Sequence, residues 1–516
     1  MKGPEKIKLG LLMAFHLLWG IVLWVSISKY GMGVSTDSVQ YMYTGLNLSQ
    51  GRGFTTFDGS LFAYWPPLYP IILAAARILT GLDMFSTTQV VQFATYILVS
   101  FLVSVLFLKI FPHHFLFAFL GCFLFDSGPV LLLTFQMVES DYLFLLFILI
   151  FALLAGRYKK EPKNRTVLGF ALVGALAMLQ RYIGITVIAA GCLVVMVYTP
   201  GNLARRLWNS IPVALGALPA LAWMTWTNRL APEIRRAPLT LRENLETFSR
   251  EILEWFINKP AVDENLWRYI GILWVIIAAL ILFLLLASIK HKVFNEYTFP
   301  SLAYALVYTV TLFGAASFVY FNKLRGRFLL PVYLPLILIL LLAFDQNLRI
   351  VREKAPRIVY LGSILASLGL IAIIALRSLG TSIGMVKSST LNGIAVENIY
   401  NTQSWNENSI IRYWKDHRPA SEFVTFSNYP AGVAFHTWQP CLPSPRKYAS
   451  LYHTQVLPLE RYGPELFSSD LDVYLVWIEP NTYEHVYRPE ELKSIAKLIT
   501  IIENEEGGIY RLVPKR

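Results

Sequence analysis

Long apolar runs broken by short polar connectors dominate the first 376 positions of the chain. A hydrocarbon core about 30 Å thick demands roughly 20 apolar residues of helix. Runs approaching that length recur at residues 9–28, 87–110, 114–133, 139–156, 165–180, 183–199, 207–227, 267–289, 298–319, 328–345 and 357–376. The pattern predicts an α-helical polytopic membrane protein with about eleven transmembrane helices. Three stretches depart from it. The first, residues 29–86, carries Val39, Met42, Tyr43 and Leu46 at helical spacing, which predicts an amphipathic helix lying on the membrane. Thr36 is its expected N-cap and Gly51 its expected stop, and Pro66–Leu79 reads as a second juxtamembrane helix. The second stretch, residues 228–263, is polar and rich in Arg. The third, residues 377–516, alternates strand-like and helix-like segments. Glu422–Phe426, Val473–Ile478, Leu498–Ile502 and Ile509–Val513 read as strands, and Glu407–Lys415 and Pro489–Lys497 as helices. This tail is expected to form a soluble α/β or α+β domain after a membrane module spanning 1–376.

Composition agrees with this reading and removes other classes. Apolar residues make up 55% of the 516 positions and charged residues 15%, against about 25% charge in ordinary soluble chains. The net charge of +12 suggests nucleic acid until the basic residues are placed. More than half of those in residues 1–376 fall in alternate connectors: Lys2, Lys6 and Lys8; Lys109; Arg157 to Arg165; Arg205 and Arg206; Lys290 and Lys292; Arg349 to Arg357. The positive-inside rule accounts for them, putting the N-terminus in the cytoplasm and the C-terminal domain outside the cell membrane. No small-residue cleavage site follows Ile27, so the first helix is expected to be retained. Cys122, Cys192 and Cys441 form no disulfide framework. A Walker A sequence, zinc-spaced Cys/His pairs and a Gly-x-Ser-x-Gly elbow are all missing from the sequence.

The candidate chemistry lies at span ends. Asp37 stands a few residues beyond the first span, and Glu139 and Asp141 open the fourth. Carboxylates at helix N-termini complement the dipole, yet all three map to the same outer face. So do Arg181, between the fifth and sixth spans, and Lys323, Arg325 and Arg327, before the tenth. Basic residues there are unexplained by topology. They either snorkel to headgroups or bind a phosphate, for which a guanidinium fork is suited. Carboxylates either deprotonate a nucleophile or hold a divalent metal ion, for which Asp37 and Asp141 would be the ligands. Together these groups fit transfer from a lipid phosphate to an acceptor outside the cell.

The ordered motifs resemble the polytopic glycosyltransferases of the C superfamily, in the branch of protein O-mannosyltransferases and aminoarabinose transferases. Asp37, Asn47-Leu48, Gly51-Arg-Gly53 and Pro66-Pro-Leu-Tyr-Pro70 resemble that branch's first acidic site and loop. Ser140-Asp141-Tyr-Leu-Phe144 resembles its second acidic site, with Glu139 in reserve, and Arg181-Tyr182 and Arg327-Phe-Leu-Leu-Pro331 resemble later arginine elements. The resemblance implies a polyprenyl-phosphate sugar as donor, its phosphate on Arg181 and Arg327, and Asp37 as general base in an inverting transfer. Ser38 follows Asp37 where the mannosyltransferases carry Glu, which leaves open whether the acceptor is lipid, glycan or protein. Two other classes compete. A transporter or flippase for a lipid-linked sugar would use the same arginines, although internal repeats and midplane charges are its usual marks. A non-catalytic scaffold would use Trp405, Trp414, Trp438 and Trp477 of the tail for docking, where core packing is the commoner role of such rings.

Overall fold

The computed structural model describes residues 3–228, 240–256, 295–318, 324, 326–354, 356–394, 399–448, 456–480 and 485–515. The expected span 267–289, Lys323, Arg325 and half of the Arg-rich stretch 228–263 lie outside the described residues. The helices in chain order are α1 (Gly3–Ser26), α2 (Thr36–Ser49), α3 (Leu68–Thr80), α4 (Met84–Ile110), α5 (Phe115–Asp126) and α6 (Pro129–Gln136). They continue with α7 (Asp141–Lys160), α8 (Asn164–Gln180), α9 (Ile185–Tyr198), α10 (Leu203–Leu215), α11 (Leu218–Asn228) and α12 (Leu241–Phe256). The last three of the bundle are α13 (Thr298–Phe318), α14 (Gly326–Lys354) and α15 (Arg357–Asn392). Among the described residues six helices are long and apolar enough to cross a membrane, or eight if two bent pairs each count as one span. The shorter apolar helices α8 and α9 fall on two further expected spans. The last helix runs without a break through residue 376 to Asn392, carrying the bundle further than hydropathy indicates.

One bent pair positions the site. Helices α5 and α6 meet at 50°, and the break frees carbonyls that a bilayer core cannot hydrate. Donors from neighbouring helices take them. The Tyr333 hydroxyl donates to Leu124 O at 2.6 Å, and Ser378 and Ser382 donate to Ser127 O at 2.8 and 2.7 Å. A Cβ at Gly128 would meet the Tyr333 hydroxyl at 2.2 Å, so this close approach requires glycine. Beside the break, buried His16 and Asp126 join through Nδ1 and Oδ2 at 2.6 Å, tying α1 to α5. Short α6 then delivers residues 137–140 to the end of the bundle that carries the C-terminal domain.

Helix α2 differs from expectation in two respects. Ser35, rather than Thr36, is the N-cap, in a reciprocal capping box with Ser38. Its apolar face does not lie on the membrane. Val39, Met42 and Tyr43 are buried against α3 and under the C-terminal domain, where the Tyr43 hydroxyl donates to Ala434 O and Gln439 O at 3.1 and 3.0 Å. The periodicity was diagnostic of a buried face but not of what covers it. Helix α3 begins at Leu68, later than Pro66, and closes on Gly81 in the left-handed conformation.

The C-terminal domain is a five-stranded mixed sheet. Its strands are β1 (Phe423–Ser427), β2 (Leu442–Pro443), β3 (Asp472–Ile478), β4 (Ala496–Asn504) and β5 (Gly507–Pro514), in the order β2-β1-β3-β5-β4. β1 pairs in parallel with β2 and β3, whereas β5 pairs antiparallel with β3 and β4. All four expected strands are present. The two expected helices are Ser409–Asp416 and a single turn, Pro489–Leu492, shorter than the expected 489–497 because β4 begins at Ala496; Gln403–Glu407, Pro430–Thr437 and Tyr462–Leu466 are further short helices.

Candidate functional site

A short parallel bridge sets the register of the acidic groups. Gly33 N–H donates to Gln136 O at 2.8 Å, and Val138 N–H donates to Gly33 O at 3.0 Å. The approach depends on Gly33, where a Cβ would lie 2.5 Å from Met137 Sδ. From this pairing the first turn of α2 presents Asp37, and the turn into α7 presents Glu139 and then Asp141. Residues about a hundred positions apart thus share one recess.

Two guanidiniums enter the recess from other helices. Arg327, on the first turn of α14, pairs with Glu139 through Nη1 and reaches Asp37 Oδ2 with Nη2 at 3.6 Å. Arg181, in the break between α8 and the single 3₁₀ turn Tyr182–Gly184, pairs with Asp141. Arg181 Nη1 also lies 3.3 Å from Ser140 Oγ, and the adjacent Gln180 amide donates to Ser140 O at 3.0 Å. Both guanidiniums flank Phe328, at 5.8 and 5.0 Å from its ring centre, and the Tyr308 hydroxyl holds Phe328 O at 2.7 Å. All five residues singled out in sequence and described here therefore meet: Asp37, Glu139, Asp141, Arg181 and Arg327.

Three carboxyl groups facing two guanidiniums leave the site acidic. Burial raises the Asp37 carboxyl above its ordinary value, opposed by Arg327 and then Arg181, with the Asp141 charge adding to the rise. Burial likewise raises Glu139, against Arg327, with Asp141 and Asp37 reinforcing it. At Arg181 burial opposes the charge, but Asp141 together with Tyr41 and Tyr308 offsets it and raises the guanidinium above its ordinary value. Accessibility separates the carboxylates. Asp37 is 30% exposed, Glu139 and Asp141 only 6% each. Asp37 is the most exposed of the three.

Sequence reasoning passed over several neighbours. Tyr41 lies one turn beyond Asp37, with its hydroxyl 3.4 Å from Ser140 Oγ, and its ring stands edge-on to Tyr69 and Trp65. Tyr69 belongs to the Pro-Pro-Leu-Tyr-Pro motif, and its buried hydroxyl senses the charges of Glu139 and Asp141. The i, i+4 spacing from Asp37 was the available signal for Tyr41. Ser140 was read only as part of the Ser140-Asp141 motif, and Gln180 had no signal beyond adjacency. Among the described residues no three His, Cys, Asp or Glu groups gather as a metal set. Asp141 faces Arg181, and Arg327 reaches both Asp37 and Glu139, so each carboxylate has a guanidinium beside it.

No family model matches the chain, and no curated protein sequence matches it significantly. Solved structures do. ArnT from Cupriavidus metallidurans in the apo state superposes with a TM-score of 0.59 over 97% of this chain and 98% of that one, at 13% identity. The same protein bound to undecaprenyl phosphate gives 0.58 over the same shares, at 12% identity. An Archaeoglobus fulgidus oligosaccharyltransferase aligns over 83% of this chain and 63% of that one with a TM-score of 0.43, at 13% identity. The fold is that of the C-superfamily (GT-C) glycosyltransferases.

Proposed function

We propose that this GT-C-fold chain is a membrane glycosyltransferase that moves a sugar from a polyprenyl-phosphate donor to an acceptor on the extracytoplasmic face, with inversion. The observation that carries the reading is the convergence of Asp37, Glu139, Asp141, Arg181 and Arg327 at one end of the apolar bundle. Undecaprenyl phosphate, bound by ArnT on the same fold, is a ligand of the donor class this site suits.

In this reading the donor phosphate approaches Arg181 and Arg327. Each guanidinium has five N–H donors, so it holds a phosphate oxygen while keeping its carboxylate. Lys323 and Arg325, shortly before Arg327 in the sequence, are the further basic residues proposed for the same phosphate. Asp37, the most accessible carboxylate, accepts the proton of the acceptor hydroxyl or amine. The acceptor atom bonds to the anomeric carbon from the face opposite the phosphate, and the bond from that carbon to the phosphate oxygen breaks. The electron pair leaves with polyprenyl phosphate, whose added charge the two arginines stabilise. Glu139 and Asp141 hold those arginines in place and orient the base through their charge. No step requires a metal ion.

Asp37→Asn keeps size and polarity but cannot take the proton, so purified variant in detergent with a polyprenyl-phosphate sugar should form no product. Expression and thermal stability should stay at the parental level. Full product formation by this variant removes the proposal. A transporter or flippase would form no product even with the parental protein.

A further inference from the structure

Behind the site, the chain that leaves the last bundle helix returns to the base of α2. Gly393 bridges Thr402, and between them Tyr400 N–H donates to Val34 O at 2.8 Å. The Tyr400 hydroxyl lies 3.0 Å from Thr36 Oγ1, and the Asn401 amide holds Met32 O at 3.1 Å. Residues 33 and 34 are thus gripped on both sides, by 136–138 on one and Tyr400 on the other. Thr36 is the first residue of α2 and the neighbour of Asp37.

Tyr400 is itself immobilised from the domain side. Its ring is 2% exposed and stands edge-on to Trp405 at 5.1 Å. Its carbonyl lies 2.7 Å from His436 Nε2, and His436 stacks on Trp405 at 5.8 Å. Burial pushes the His436 imidazole down to about 4, so it is neutral at pH 7 and donates from Nε2 to that carbonyl. Gly432 closes the packing, where a Cβ would meet Trp405 at 2.5 Å and Tyr400 at 2.7 Å.

Asp37 needs such support. Glu139 and Asp141 are locked by close ion pairs, but Asp37 reaches its guanidinium only at 3.6 Å. Its position therefore depends on the backbone of the first turn of α2. We propose that Tyr400 is a positioning residue whose hydroxyl, through Thr36, fixes that turn and so places the Asp37 carboxylate for catalysis. The C-terminal domain then sets the reaction rate without touching substrate. The effect on rate rests on the glycosyltransferase reading; the coupling of Tyr400 to Asp37 does not.

Tyr400→Phe removes one oxygen and keeps the ring among Trp405 and Gly432; Thr36→Val removes its partner. Each is expected to lower kcat about tenfold with the donor KM unchanged, because small misplacements of a reacting group are costly. The double variant should lose no more than either single one, as for two groups acting through one contact. The second measurement needs no substrate: carbodiimide labelling of Asp37 against pH, read by mass spectrometry. The ionisable groups around Asp37 are Arg327, Arg181, Asp141, Glu139 and Tyr41, none of which either substitution alters. A moved labelling midpoint in Tyr400→Phe thus reports displacement of Asp37. Parental kcat together with a parental midpoint in that variant overturns the proposal, as does a double variant whose losses multiply. Should Asp37→Asn retain full turnover, the glycosyltransferase reading falls. The labelling midpoint alone then decides the coupling, a shift upholding it and no shift overturning it.

Discussion

At the scale of the residue, the site is a charge balance in which carboxylates outnumber guanidiniums. As the proposed base Asp37 would act in its ionised form, and burial raises its carboxyl above the ordinary aspartate value. Turnover is therefore expected to fall as pH drops through that raised value, earlier than for a solvated aspartate. Arg327 is the largest influence lowering the Asp37 carboxyl. Arg327→Gln should move the acid limb of the kcat profile to higher pH, a shift of opposite sign counting against Asp37 as base. Arg181 serves two charges, Asp141 and the proposed phosphate. Arg181→Ala leaves a 6% exposed carboxylate without its cation and should cost about 3 kcal/mol of stability. Arg181→Lys restores the charge without the fork, so thermal stability should largely recover while donor KM rises; unchanged KM would remove Arg181 from the phosphate site. Because the carboxylates face guanidiniums, EDTA should leave turnover unchanged, and loss of activity restored by a divalent ion would overturn that expectation. Asp37 and the two arginines were legible in the sequence because charged residues at span ends are scarce and their sidedness could be counted. Tyr41 was not, because little but its i, i+4 spacing from Asp37 marks it until its hydroxyl is seen near Ser140, and Ser140 stood only as part of the Ser140-Asp141 motif.

At the scale of the element, helices were readable and their contacts were not. Apolar length located α4, α7, α8 and α9, because membrane insertion depends on the composition of each segment itself. The 50° break between α5 and α6 was read as one continuous span at 114–133, since hydropathy does not register a bend whose carbonyls are taken by Tyr333, Ser378 and Ser382. Nor does hydropathy reveal the bridge from Gly33 to Met137, on which the juxtaposition of Asp37 and Glu139 depends. Gly33→Val places branched carbons where Met137 Sδ lies only 2.5 Å from an ideal Cβ. Overpacking of this kind costs about 1–3 kcal/mol. The variant should melt earlier and lose turnover, while Gly463→Ala, at an uncrowded glycine of the C-terminal domain outside the left-handed region, should lose neither site geometry nor rate; equal kcat in Gly33→Val and parental protein would show that the bridge does not set the site.

At the scale of the whole molecule, the tail is packed onto the first loop. Its contacts with the first loop are spread over Tyr400 with Val34 and Thr36, Tyr43 with residues 434 and 439, and Cys441 N–H with Phe57 O at 3.2 Å. A chain ended after Asn392 removes all of them and uncovers Tyr43 and Phe57. Such a chain is expected to retain less than about one hundredth of parental turnover, measured as product per mole of folded protein, and near-parental turnover would show the tail to be accessory.

The sequence by itself determined the class of molecule, the approximate spans, the strands of the tail and five of the groups that meet in the site. These follow from local physics: apolar length, alternation, and the cost of placing charge near a bilayer. Which charges pair, which carboxylate stays open, what covers α2 and how Tyr400 reaches Thr36 were decided by tertiary structure alone. Those contacts join residues as far apart as 36 and 400, and their energy exists only once the helices have packed.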